Sequence, residues 1–347
     1  MKSKELFKLL DSVQENEDAI FPKRHDKVLL IDGLNLFFRN FAMLNIVNSD
    51  GIHIGGLGGF LRSLGSLIKQ IQPTAVYIIF DGAGSSSSRK NLVPEYKSER
   101  HIQRVTNWDV FDNLDEEHDS KVDQIVRLIQ YLKQLPVKTI AMDKVEADDI
   151  IAVLSTQLVE KYNSTVFIVS SDKDFVQLVT DKIIVYRPME KEYYTPSTVT
   201  EKFGVLAENF ILYKTLLGDA SDKVAGIKGL GEKGIMKHFP ELQTKKLTLD
   251  DIFEISAVKF KNHIVYSRII HDEKRLRTNY KIMDLSVPMV GEYEVKFVAN
   301  LIESDLPELN PNPFLVMYDE DKLGGIIRNI DYWLKDNFLH FKGYKNK

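Results

Sequence analysis

Short, uninterrupted apolar runs separated by longer amphipathic stretches set the rhythm of this chain. KVLLI (27–31), AVYIIF (75–80), VKTIA (137–141) and TVFIVS (165–170) are each bounded by polar or turn-forming residues. Runs this short and this apolar predict strands buried on both faces. Residues 55–71 place Leu57, Leu61, Leu64 and Ile68 at helical spacing and stop before Pro73, and 146–161 carries a second helical pattern. The alternation predicts an α/β fold: a central, mostly parallel sheet with helices on both faces and right-handed crossovers. Four segments follow: an N-terminal extension (1–26), an α/β core (27–190), a helical region (191–290), and a C-terminal segment (291–347) carrying Trp333, Phe338 and Phe341. In the extension, Leu6, Leu9, Leu10 and Val13 predict an amphipathic helix, and Pro22 marks a linker. The C-terminal segment has a packing or partner-binding role at most.

Composition narrows the class. The 347 residues are 44% hydrophobic and 28% charged, ordinary for a globular protein. The absence of cysteine excludes disulfides and zinc–thiolate sites and suits a reducing cytoplasm. MKSKELFKLLDSVQENEDAI lacks the apolar core of a secretory signal, and no run is long enough to span a bilayer, so no membrane partner is expected. The formal net charge of −4 at first argues against nucleic acid. Nine of the carboxylates, however, fall in places where a cation would neutralise them, and without those nine the chain carries +5.

Those nine form five clusters. Asp32 and Asp81 each follow a strand, and Asp172 and Asp174 straddle the turn after a third. Glu146, Asp148 and Asp149 open a helix, and Asp219 and Asp222 close one. Ligands of such sheets sit beyond the carboxyl ends of the strands, where three of the four strands deliver an aspartate. A single aspartate there is more often a turn former or helix cap. Many carboxylates gathered at one rim would repel, so a bound cation is the natural reason to tolerate them. Hard oxygen ligands suit Mg²⁺, and two such ions can activate a water and stabilise a leaving oxygen of a phosphodiester.

Two further stretches bear on nucleic acid. Residues 83–118 interrupt the α/β rhythm with GAGSSSSRK and then a basic segment; between Gly84 and Asn107, Arg89, Lys90, Lys97, Arg100 and Arg104 outnumber Glu95 and Glu99. Long loops in compact domains are functional or disordered, and a charge run alone is commonly a solvated surface. VAGIKGLGEKGIMKHF (224–239) sets Gly226, Gly229 and Gly231, with Lys228 and Lys233, ahead of a helix. Backbone amides at such a turn suit a phosphate, although an ordinary interhelical turn has the same composition.

Together LLIDGLNLFFR, YIIFDG, NLVPEYKSER, VEADD, SSDKDF and LGDASDKVAGIKGLGEK, in this order, resemble the flap endonuclease / 5′-3′ exonuclease family over roughly residues 27–270, and most closely its bacteriophage members of the ribonuclease H type. The resemblance implies a first metal ion held by Asp32, Asp81, Asp148 and Asp172 with Glu146 close by. It implies a second near Asp174, Asp219 and Asp222, with Asp149 acting through water. Two Mg²⁺ are expected, with Mn²⁺ as a substitute. Residues 83–118 would form a helical arch whose Lys97 and Arg100 contact the scissile phosphate. Arg89 and Lys90 would steer the strand, and Phe38, with Arg39 beside it, would stack on a terminal base, unless Phe38 is simply core. Residues 224–239 would be a helix–three-turn–helix that binds K⁺ through backbone carbonyls and grips duplex phosphates. The implied activity is structure-specific 5′-3′ exonuclease and flap cleavage of branched, nicked or 5′-flap DNA and RNA–DNA hybrid during replication. A monomer is expected, in the cytoplasm (the host's, for a phage), with a single-strand-binding protein or sliding clamp as candidate partners. A PIN-type ribonuclease and a non-catalytic branch-binding module are the rival readings. Two features depart from the family pattern: the extension, and bulky Ile235 after Lys233-Gly234.

Overall fold

In the computed structural model, residues 23–98 and 104–344 are described. The extension helix expected within 1–22 and the arch cation Arg100 lie outside the described residues. Five parallel strands, β1 (Lys27–Asp32), β2 (Ala75–Asp81), β3 (Lys138–Met142), β4 (Thr165–Val169) and β5 (Ile183–Arg187), and one antiparallel edge strand, β6 (Glu192–Tyr194), form a sheet of order β3-β2-β1-β4-β5-β6. The four expected strands are all present. The β5–β6 hairpin was not anticipated, because IIVYR is ended by a charge and EYY is too short to show a period.

Helices α1 (Gly33–Met43), α2 (Gly55–Ile71) and α4 (Leu114–Leu132) and the short α3 (Ser87–Leu92) accompany the first half, and α5 (Ala147–Tyr162) links β3 to β4. Alternation along each strand divides the interior. Leu29, Ile31, Val76 and Ile78 join a core with Phe37, Phe60 and Leu64 of α1 and α2, whereas Val28, Leu30, Tyr77 and Ile79 pack with Ile151 and Leu154 of α5. Each such fully buried side chain stabilises the fold by about 1.5–3 kcal/mol relative to exposure. Helices therefore cover both faces, as predicted.

After the sheet come α6 (Phe210–Leu217), a two-strand ribbon of β7 (Gly218–Asp219) and β8 (Val224–Ala225), then α7 (Glu232–His238), α8 (Ile264–His271), α9 (Glu273–Met283) and α10 (Glu292–Glu303). The C-terminal segment is part of the core: Val298 and Ile302 of α10 join the α5 side, and Phe314, Phe338 and Phe341 join the α1–α2 side. Ile235 is fully buried. Of the expected arch, the described residues contain the helix α3, turns, and the start of α4 at Leu114.

Strand order reverses between β1 and β4, which are hydrogen-bonded neighbours with connections leaving in opposite directions along the sheet. The crevice at the carboxyl ends of those two strands is where ligands of such sheets bind.

Candidate metal centre and nucleic-acid interface

At that crevice the strand-end aspartates act first as helix caps. The Asp32 Oδ1 atom accepts from the Asn35 amide at the start of α1 (3.1 Å), and Oδ2 accepts from the Ser170 hydroxyl (3.0 Å). Asp81 Oδ1 reaches from β2 to accept from the Ala147 amide of α5 (2.8 Å), where Glu146 supplies no side-chain cap of its own. The Asp172 amide donates to Ser170 Oγ (3.0 Å), and Asp172 Oδ1 accepts from the Asp174 amide (2.8 Å). The bland role and the chemical one coincide: capping fixes each carboxylate at the rim.

The electrostatics are those of a pit short of positive charge. Burial pushes the Asp32 carboxyl up to about 7, with the charges of Asp172 and Asp81 adding to it. Burial, then Asp172 and Asp32, drive Asp148 well above the ordinary carboxylate range. Asp32, Asp81, Asp148 and Asp172 thus feel one another's charge, although among the described residues they form no cage of three mutually close ligand oxygens. Such a cage exists at the second set, where Asp174, Asp219 and Asp222 bring oxygens within 4.8 Å of one another.

A residue that sequence reasoning missed sits inside that cage. Lys214, 6% exposed in the apolar helix α6, pairs with Asp174 and with Asp219 Oδ2 (2.7 Å). Burial raises Asp219, but the Lys214 ammonium and the Ser221 donors outweigh it and hold the carboxyl at about 2. Asp174 stays at about 6, because burial and Asp172 exceed the pull of Lys214. A lone lysine in FILYKTLL, five positions before Asp219, is the signal that could have revealed it.

Glu146 and its neighbours redistribute the roles expected at α5. Glu146 Oε2 pairs with Lys97 Nζ (3.0 Å) and Arg89 (3.1 Å) and accepts from the Tyr96 hydroxyl (3.3 Å). Its other oxygen, Oε1, is buried with no hydrogen-bond partner. Lys97 is brought to the pit as expected, its backbone in the left-handed region (φ 54°) and its amide donating to the Asp222 carbonyl (3.2 Å). A lysine there costs on the order of 1 kcal/mol, and such strain gathers at functional sites.

Two expectations are corrected. Arg89 is 3% exposed and is no steering charge: its guanidinium forms a two-pronged pair with Asp149 (2.6 and 2.9 Å) and donates from Nε to the Ile282 carbonyl (2.7 Å). Asp149, 1% exposed, gives both oxygens to Arg89 and accepts from the Met289 amide (2.9 Å), which leaves it a structural anion rather than a water-mediated metal ligand. Lys90, one position on, is exposed.

Phe38 is 43% exposed and meets Phe37 edge-on, so it is not simply core, and Arg39 donates to the Pro188 carbonyl (3.1 Å). In the glycine-rich turn, Gly229 has φ 80°, a conformation side chains resist, and a Cβ on Gly226 would meet the Leu217 carbonyl oxygen at 2.0 Å. Gly231 caps α7, and Lys228 and Lys233 are exposed beside it. Among the described residues, no helix is long and apolar enough to cross a membrane.

A doubly wound sheet whose carboxyl-end crevice gathers acidic side chains, flanked by basic turns, has the hard-oxygen donors that divalent cations take. Residues 27–204 match the family described as 5′-3′ exonuclease, N-terminal resolvase-like domain, and the chain belongs to the 5′-3′ exonuclease family. The 5′-3′ exonuclease of Bacillus subtilis (strain 168) is 31% identical over 237 residues, covering 66% of this chain and 74% of its own length. DNA polymerase I of the same organism is 31% identical over 243 residues, 69% of this chain; this chain spans only 26% of that polymerase. Among solved structures, the bacteriophage T5 D15 flap endonuclease in complex with DNA and metal ions shares the fold, with a TM-score of 0.61 and 20% identity over 89% of this chain and 99% of that one.

Proposed function

We propose that this chain is a magnesium-dependent, structure-specific 5′ nuclease that cuts 5′-flap and nicked duplex DNA and RNA–DNA hybrid, and so removes flaps or RNA primers in DNA replication. The observation that carries the reading is the meeting of two metal-seeking features at one rim: the three-oxygen cage of Asp174, Asp219 and Asp222, and the buried, unpartnered Oε1 of Glu146 beside Asp148. Every donor is a hard oxygen, which fits Mg²⁺ or Mn²⁺ and disfavours softer ions. Asp32, Asp81, Asp148 and Asp172, with Glu146, would hold one ion, and Asp174, Asp219 and Asp222 the other.

When bound, such a pair supplies an acidified water and neutralises charge on the phosphodiester, so no protein general base is required. The chain's own residues do the rest. Capping by Asp32 and Asp81 fixes two carboxylates before any ion arrives. Lys97 stands at the rim with its ammonium on Glu146, and once that carboxylate is engaged elsewhere the ammonium is available to the scissile phosphate, with Arg100 as its expected companion. Phe38 offers an exposed ring on which a terminal base can stack. The turn at 224–231, with Lys228 exposed, would meet a duplex backbone rather than base edges, which makes recognition one of structure rather than sequence.

Asp148→Asn tests the assignment. Cleavage of a 5′-flap, a nicked duplex and an RNA–DNA hybrid with Mg²⁺ should fall by at least about a thousandfold, while binding with Ca²⁺ persists. Near-normal cleavage by this variant would overturn the reading.

A further inference from the structure

Three carbonyls of the glycine-rich turn already have cationic partners. Ala225 O accepts from Asn279 Nδ2 (2.9 Å) and from Arg275 Nη1, the same nitrogen donates to Gly226 O (3.1 Å), and Lys228 O accepts from Arg268 Nη1 (2.6 Å). Ile227 O accepts from the Leu230 amide (3.0 Å) and Gly231 O from the Ile235 amide (2.9 Å). Arg275 is itself held by Asp272 Oδ2 (2.5 Å) at the junction of α8 and α9. Gly229 leaves room for the second arginine: a Cβ there would stand 3.1 Å from Arg268 Nη1. A monovalent cation bound through backbone carbonyls needs several of them converging with lone pairs to spare. Here guanidinium nitrogens sit on the carbonyls of Ala225, Gly226 and Lys228 and repel a second positive charge from the same spot. The turn therefore does not fit the potassium ion expected of it.

We infer that Arg275, seconded by Arg268, takes the place of that ion: it is a covalently tethered cation that ties the carbonyls of Ala225, Gly226 and Lys228 to α8 and α9 and so holds the turn, with its exposed Lys228, in one conformation. The inference rests on the proposal that this turn grips duplex phosphates, and it adds that the grip needs no potassium. Guanidinium suits the task because Nη1 meets two carbonyls while Nη2 holds the Asp272 carboxylate in one rigid plane, a geometry that a flexible ammonium does not preset.

The test measures affinity of the full chain for a nicked duplex by fluorescence anisotropy, with Ca²⁺ replacing Mg²⁺. KCl, NaCl and tetramethylammonium chloride are compared at one ionic strength, so that counterion release is held constant. The unaltered protein should bind within about twofold in all three, whereas Arg275→Ala should bind about tenfold or more weakly in tetramethylammonium and recover in part when K⁺ occupies the vacated carbonyls. Arg275→Lys should resemble Arg275→Ala rather than the parent. Binding by the unaltered protein about tenfold tighter in K⁺ than in tetramethylammonium would overturn the inference. If the unaltered protein binds duplex in none of the salts, the duplex-binding reading fails instead. Titration with Tl⁺ followed by thallium NMR then decides the present point alone: no saturable site supports it, and a saturable one refutes it.

Discussion

Replacing Arg89 with methionine separates a buried structural cation from a strand-steering one. The guanidinium makes two contacts to Asp149, one to Glu146 and one to the Ile282 carbonyl, in a place where Arg89 and Asp149 are 3% and 1% exposed. Removing it strands Asp149 as a buried anion with only the Met289 amide to solvate it, while Glu146 keeps Lys97 and Tyr96. Breaking a buried pair from one side costs about 3–5 kcal/mol, which corresponds to a fall in melting temperature of roughly 4–7 °C for a chain of this size. The double variant R89M/D149L removes both charges and should regain most of the loss, because a buried pair replaced by apolar groups is near neutral. Thermal melting of the parent, both single variants and the double variant closes the cycle, and duplex affinity of the folded protein in Ca²⁺ is read alongside. Arg89 is buried and its donors are spent within the protein, so affinity should change by less than about threefold. An R89M protein that melts like the parent and binds duplex tenfold more weakly would refute the reasoning.

Other expectations follow from the same electrostatics. Lys214→Met removes the cation inside the aspartate cage, so the Asp219 carboxyl should rise from about 2 and the affinity for Mn²⁺, measured calorimetrically, should increase by about tenfold; weaker binding would show that Lys214 shapes the cage rather than competes for it. Lys138 donates to the carbonyl ends of α10, at Leu301 and Ser304, and burial, helped by Arg24, depresses its ammonium to about 7. Because the folded state holds that proton less tightly than the unfolded chain, the cost of the buried charge is fully present below pH 7 and fades as pH rises toward the ordinary lysine value. The melting temperature of the parent relative to Lys138→Met should therefore climb between pH 7 and 9.5, and a flat difference would reject the depressed value.

Much of the architecture was legible because it depends on local pattern. Apolar runs that stop at Asp-Gly announce strands that deliver a carboxylate to the rim, and Asp32, Asp81 and Asp172 stand there. What was illegible depends on pairs distant in sequence. Arg89 lies in a serine-rich, basic stretch that reads as solvated surface, and nothing local shows that Asp149, sixty positions on, takes up its guanidinium. The same contact removes Asp149 from the metal ligands, so one unseen ion pair accounts for both corrections. Lys214 escaped for the opposite reason: an apolar helix reads as core, and a single cation within it looks like an exception rather than the counter-charge of Asp174 and Asp219.

That counter-charge also accounts for the contrast between the two halves of the pit. At the second set, Lys214 compensates two of the three carboxylates whose oxygens lie within 4.8 Å of one another. At the first set Lys97 and Arg89 pair with Glu146 and Asp149, and burial together with the neighbouring aspartates pushes the carboxyls of Asp32 and Asp148 upward. An ion entering the first set would relieve repulsion that Lys97 only partly offsets at Asp148, whereas one entering the second must displace an ammonium. Binding should accordingly be stronger at the first set than at the second, and calorimetric titration with Mn²⁺ should resolve two unequal affinities, of which Lys214→Met tightens only the weaker. Two sites that tighten equally in that variant would show that the lysine acts on the pit as a whole.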